Sequence, residues 1–111
     1  MSNNIWAQNN GFHREQVLFK AGTNDYYTYR IPSIVSSPEG ALLAFCAARK
    51  GGGGDWDPID IVMRRSTDGG KTWGPMKQIA NHEKLLCDNA VPVSDYITGE
   101  VHLLYQVDYA R

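Results

Sequence analysis

The sequence predicts an all-β fold assembled from antiparallel hairpins. Three observations carry that expectation. Short apolar, β-branched and aromatic segments recur along the chain, clusters of Gly, Pro, Asp and Ser separate them, and no segment shows a convincing helical period. At 111 residues, with 42% hydrophobic and 11% aromatic residues, the composition is that of one small globular domain.

In order, the β-type segments are 16–20, 29–36, 41–46, 59–66, 77–80, 90–94 and 101–107, preceded by a polar stretch for which poor order is expected over 1–15. Segment 29–36 ends on Ser37-Pro38-Glu39-Gly40, the apolar run 41–46 leads towards four consecutive glycines at 51–54, and 59–66 runs into Asp68-Gly69-Gly70. Segments 90–94 and 101–107 flank Thr98-Gly99. Proline presets φ for such turns and glycine supplies positive φ. Four strands between 29 and 80 have the length of one propeller blade, and the pattern restarts at 90 with a second hairpin. A lone blade buries one face only, so residues 1–111 read as about one and a half blades of a truncated repeat, marginal in isolation.

Charge excludes some partners. Eleven basic and twelve acidic residues give a net charge of −1 without clustering, so neither nucleic acid nor an anionic membrane surface is an expected partner. The N-terminal residues lack a basic and an apolar region, and no run of about 18 apolar residues occurs. Membrane insertion is therefore not expected, and the cytoplasm is the default location. Cys46 and Cys87 read as two buried thiols, not a disulfide framework. His13, His82 and His102 have no metal-ligand spacing, and no metal site or cofactor is expected.

The most specific string is Ser66-Thr67-Asp68-Gly69-Gly70-Lys71-Thr72-Trp73. Asp68 can accept hydrogen bonds from turn amides, the glycines permit left-handed φ, and Trp73 offers an apolar anchor. Gly70-Lys71-Thr72 imitates the end of a phosphate-binding loop, but Arg65 stands where that motif needs glycine. Asp55 to Asp60 begins like a calcium loop without its glycine or closing glutamate. Strands either side of the turn at 37–40 must run antiparallel. Arg30, Arg49 and the glycine-rich loop holding Asp55 then gather at one edge of the sheet, and residues 66–73 fall at the other.

Three ordered strings carry a family resemblance. Tyr29-Arg30-Ile31-Pro32 is similar to the Y/F-R-I-P motif of sialidases, Ala44-Phe45-Cys46-Ala47-Ala48-Arg49 to their A-F-A-E-A-R strand, and 66–73 to their Asp-box. Spacing agrees, with Arg49 nineteen residues after Arg30 and Asp55 six after Arg49. The resemblance implies a six-bladed β-propeller that hydrolyses terminal α-linked sialic acids from glycoproteins, glycolipids or oligosaccharides. Arg30 would be one of three arginines clamping the substrate carboxylate through a planar, permanently charged fork.

Asp55 would be the acid/base group, carried on a loop mobile enough to close and shielded by Trp56 so that its pKa rises. Asp57 and Asp60 read as solvated neighbours. Arg49 would contact the region of the sugar 4-hydroxyl, with Asn89 as partner, or Asp88 after a shift of one residue. The tyrosine nucleophile and its glutamate base are expected outside this chain, which alone would be inactive. The alternatives are a non-catalytic Asp-box propeller binding glycans or proteins, and an inactive fragment.

Overall fold

A computed structural model describes residues 14–109. Among these there is no helix, and none therefore that could cross a membrane. Six strands form: β1 (Thr28–Ser36), β2 (Leu42–Arg49), β3 (Ile59–Ser66), β4 (Lys77–Ala80), β5 (Leu85–Asp95) and β6 (Glu100–Tyr109). They make one sheet of order β1-β2-β3-β5-β6, with β4 also paired to β3. The all-β expectation holds. The expected poor order of 1–15 falls outside the described residues up to residue 13, while Arg14 donates to the Lys71 carbonyl at 2.7 Å.

Two elements differ from the sequence reading. Residues 16–20 form no strand, and the Leu18 carbonyl is taken by a side chain in place of a ladder. Arg64 donates to the Leu18 carbonyl at 2.9 Å while also binding the carbonyls of Gly74 at 2.8 Å and Trp73 at 3.2 Å. The second difference is β5, which starts at Leu85 rather than at 90. Leu86 and Cys87 are buried and pair with Asp108 and Val107, and the strand continues through polar Asp88-Asn89 by bulging.

Both faces of β2 are covered, and that strand lies at the centre of the packing. Leu43 and Phe45 join Ile61, Ala80, Cys87 and Ala90 in one core, where the sheet folds back so that β5 and β6 close over β2 and β3. On the opposite face Cys46, Ala48 and Val62 pack with Tyr26, and Phe19, Tyr29 and Met76 line the margin. A strand buried on both sides needs a continuous apolar run in place of alternation. Small alanines in the Ala-Phe-Cys-Ala-Ala run let both layers approach. Cys46 and Cys87 are free and buried, and burial pushes the Cys46 thiol up to about 11.

The polar residues of β3 on the Tyr26 face serve as internal pins. Asp60, wholly buried, accepts from the Tyr26 hydroxyl at 2.6 Å and the Gln78 amide at 2.9 Å, and Lys50 stands 3.2 Å away. Burial, and then the bond to Asp60, push Tyr26 up to about 12. Asp60 is thus no solvated neighbour.

At the far end the turn at 66–73 is held by side chains. Asp68 accepts from the Thr72 hydroxyl, from the Thr72 amide at 2.9 Å and from the Ser66 hydroxyl at 2.8 Å, while Gly70 donates to Ser66 Oγ at 2.9 Å. The Thr72 bonds, with Ser66 behind them, hold the Asp68 carboxyl well below the usual carboxylate range. A carboxylate depressed in the folded state stabilises above its unfolded pKa of about 3.9 and loses that contribution as pH falls further. Thermal unfolding followed by circular dichroism should therefore show Tm falling below about pH 4. Asp68→Asn should lower Tm at neutral pH and make the acid fall shallower; an unchanged acid slope would remove Asp68 from that linkage.

Candidate functional site

The rim opposite the 66–73 turn begins with a β-bulge. Register on the turn side pairs Val35 with Leu43, and carried back without interruption it would set Arg30 opposite Ala48. Arg30 instead pairs with Ala47, because Ile31 and Pro32 together face the single residue Cys46. Ile31 adopts φ 55°, a left-handed value that a β-branched residue rarely takes. One inserted residue exchanges the faces of a strand. Arg30 thereby joins Arg49 on the Ala47 face as a diagonal neighbour, while Tyr29 turns to the opposite core. The Cys46 thiol donates to the Arg30 carbonyl at 3.1 Å, satisfying an acceptor at the bulge.

β5 has the same device. Asp88 pairs with Gln106 and Val91 with Leu104, so one extra residue lies between them, and Asn89 takes φ 55°. Ser33 on β1 donates to the Ala90 carbonyl at 3.1 Å and ties one bulged strand to the other. Asn tolerates left-handed φ better than most residues. The Asn89 side chain donates to Gln106 at 2.6 Å, so the structure brings Asp88, not Asn89, to Arg49, with Arg49 Nη2 and Asp88 Oδ2 3.6 Å apart.

Asp55 is where the rim converges. Its Oδ1 accepts from Arg49 Nη1 and lies 3.4 Å from Arg30 Nη1. The three side chains differ sharply in exposure: Arg49 is 2% exposed, Arg30 55% and Asp55 69%. The hydrogen bond and charge of Arg49 hold the Asp55 carboxyl below its usual value, with Arg30 adding to the effect. This corrects the expectation that Trp56 shields Asp55 and raises its pKa. Trp56 is itself 46% exposed, and an adjacent guanidinium favours the ionised form more than partial desolvation opposes it.

The glycine-rich loop is also tighter than the sequence suggests. Asp57, read as a solvated neighbour, accepts from the amides of Gly52 at 3.2 Å and Gly54 at 3.0 Å. Gly53 has φ 79° and packs so closely on Tyr27 that a Cβ there would lie 2.7 Å from the ring. No sequence signal separates Asp57 from its acidic neighbours, and Asp88 was legible only as an alternative reading of Asn89. Among the described residues no group of three His, Cys, Asp or Glu could hold a metal ion; His13 lies outside them.

Two guanidinium groups beside a titratable carboxyl are an arrangement chemically suited to an anion. If Arg49 is what lowers the Asp55 pKa, Arg49→Met should raise it towards about 3.9, read from the pH dependence of the Asp55 carboxyl carbon resonance. Arg30→Met should raise it less. The reverse order would overturn this account of the rim.

No family model matches the chain. Individual relatives do. It is 40% identical to a sialidase of Micromonospora viridifaciens over 68 residues, 61% of this chain and 10% of that protein. It is 35% identical to a sialidase of Bacteroides fragilis over 75 residues, 66% of this chain and 14% of the relative. With a sialidase of Clostridium perfringens the identity is 41% over 59 residues, 51% of this chain and 15% of the relative. The chain thus spans 10% to 15% of the length of these relatives. Taken with the all-β sheet, these matches make the chain similar to a fragment of a sialidase.

Proposed function

We propose that this chain supplies the carboxylate-binding and proton-donating parts of an exo-α-sialidase site, carried on about one and a half blades of a six-bladed β-propeller. The observation that carries this reading is the convergence of Arg30 and Arg49 on the carboxylate of Asp55 at one rim. Two permanently charged forks at a partly open edge suit an anionic ligand. Sialic acid bears its carboxylate on the anomeric carbon, next to the bond to be cleaved. The hairpin of β5 and β6, folded against β1 and β2, supports the blade arrangement, and the side-chain-held turn at 66–73 supports its reading as an Asp-box.

In this mechanism the substrate carboxylate takes Arg30 and displaces Asp55. Asp55 then exchanges a cationic neighbour for an anionic one, and its pKa rises. A carboxyl that was ionised in the resting rim can now hold the proton that the leaving glycosidic oxygen requires, and afterwards take a proton from the attacking water. Arg49 lies beneath Asp55, so the same displacement opens it to the sugar, and Asp88 stands in the partner role first assigned to Asn89. A tyrosine paired with a glutamate, the nucleophilic arrangement of the family, would complete retention; none of the tyrosines of this chain is assigned to it.

One observation favours a second reading, a non-catalytic rim that binds sialylated glycans. The Asp55 pKa is lowered, the opposite direction from the one a proton donor needs. Two experiments separate the readings. Titration with sialyllactose should shift the guanidinium Nε–Hε resonances of Arg30 and Arg49, lactose should not, and Arg30→Lys should weaken binding by about tenfold, or 1.4 kcal/mol. Absence of any response to sialyllactose would sink both readings. In a form that also carries the tyrosine–glutamate pair, Asp55→Ala should lower hydrolysis of an unactivated sialoside by about 10²-fold or more, and that of an aryl sialoside with a good leaving group far less. Sialyllactose binding without hydrolysis by a form that carries the tyrosine–glutamate pair would favour the second reading.

A further inference from the structure

The glycine-rich loop contains two aspartates, and only one of them meets the arginines. From the paired hydrogen bonds of its carboxylate we infer that Asp57 is a positioning residue, which staples the loop over residues 51–54 so that Asp55 is delivered to Arg49. Its significance for catalysis rests on the acid/base reading of Asp55; the positioning itself does not.

Four glycines before Asp55 would ordinarily give a chain with many conformations and no preferred direction. Several contacts remove that freedom. The amides of Gly52 and Gly54 both point at Asp57 Oδ2, at 3.2 Å and 3.0 Å. Gly54 immediately precedes Asp55, so holding both its N–H and its carbonyl on Asp57 restrains the direction in which the Asp55 side chain leaves the backbone. The return path is closed by Asp57 N–H to the Gly54 carbonyl at 3.4 Å and by Lys50 N–H to the Pro58 carbonyl at 3.1 Å.

The glycines are used for close approach rather than for looseness. A Cβ on Gly51 would lie 3.1 Å from Asp57 Cγ, and one on Gly53 would strike Tyr27. The Gly53 carbonyl in turn accepts from Arg49 Nη1 at 3.4 Å, the nitrogen that also holds Asp55. Loop, staple and guanidinium therefore form one connected unit. Beneath it Lys50, the residue leading into the loop, is anchored by buried Asp60.

Asparagine in place of Asp57 can present an amide oxygen to both glycine amides, whereas alanine presents nothing. Measured on this chain by hydrogen exchange and NMR titration, Asp57→Ala should speed exchange of the Gly52 and Gly54 amides by about tenfold or more. It should also bring the Asp55 carboxyl back towards an ordinary titration, because Asp55 is no longer held on Arg49. Asp57→Asn should keep both properties near wild type. Asp57→Ala behaving as wild type, or Asp57→Asn behaving as Asp57→Ala, would overturn the assignment. Should the alanine variant lose its sheet, the wild-type chain still decides: Gly52 and Gly54 amides exchanging as fast as unstructured backbone would refute the staple. None of these readings depends on sialoside hydrolysis, so failure of the enzymatic reading is distinguishable.

Discussion

Arg49 is a permanent cation with only 2% of its side chain exposed, and the organisation of the rim follows from compensating it. Withdrawing a guanidinium from water is costly unless opposite charge and hydrogen-bond acceptors come with it. Asp55 reaches it from the loop, Asp88 from β5 and the Gly53 carbonyl from the loop backbone. Those partners belong to different elements, so the same charge that would destabilise an isolated strand end joins β2, the loop and β5. Groups gathered to neutralise a cation are also groups from which an anionic ligand can take it over.

The two bulges give that junction its geometry. Regular pairing from the β1–β2 turn would have sent Arg30 to the Tyr26 face, away from Arg49. Ile31 accepts an unfavourable backbone conformation, and Asn89 in β5 repeats the device with a residue better suited to it. Strain of this kind persists only where surrounding contacts over-determine it. Here they include the Cys46 thiol on the Arg30 carbonyl and the Ser33 hydroxyl on the Ala90 carbonyl. Cys46 thus has a structural task that its size and hydrophobicity alone did not suggest.

Legibility varied with the range of the interaction involved. Turns at 37–40 and 66–73 could be read because glycine, proline and aspartate act on backbone within a few residues of themselves. Residues 16–20 looked like a strand because their pattern is locally suitable, yet Arg64, distant in sequence, takes a carbonyl that a ladder would have used. Asp57 and Asp60 illustrate the same limit. Three residues apart and alike in type, one staples a loop and the other is buried beneath tyrosine, glutamine and lysine.

By itself the sequence determined the all-β class, the hairpin order and the gathering of Arg30, Arg49 and Asp55 at one edge, since antiparallel pairing leaves little choice once turns are placed. Its short motifs also pointed to the family. Tertiary structure decided which face each side chain occupies, which carboxylate meets Arg49, and in which direction the Asp55 pKa moves. Those outcomes depend on one-residue register shifts and on charges brought together from separate strands, and neither has a local signature in the chain.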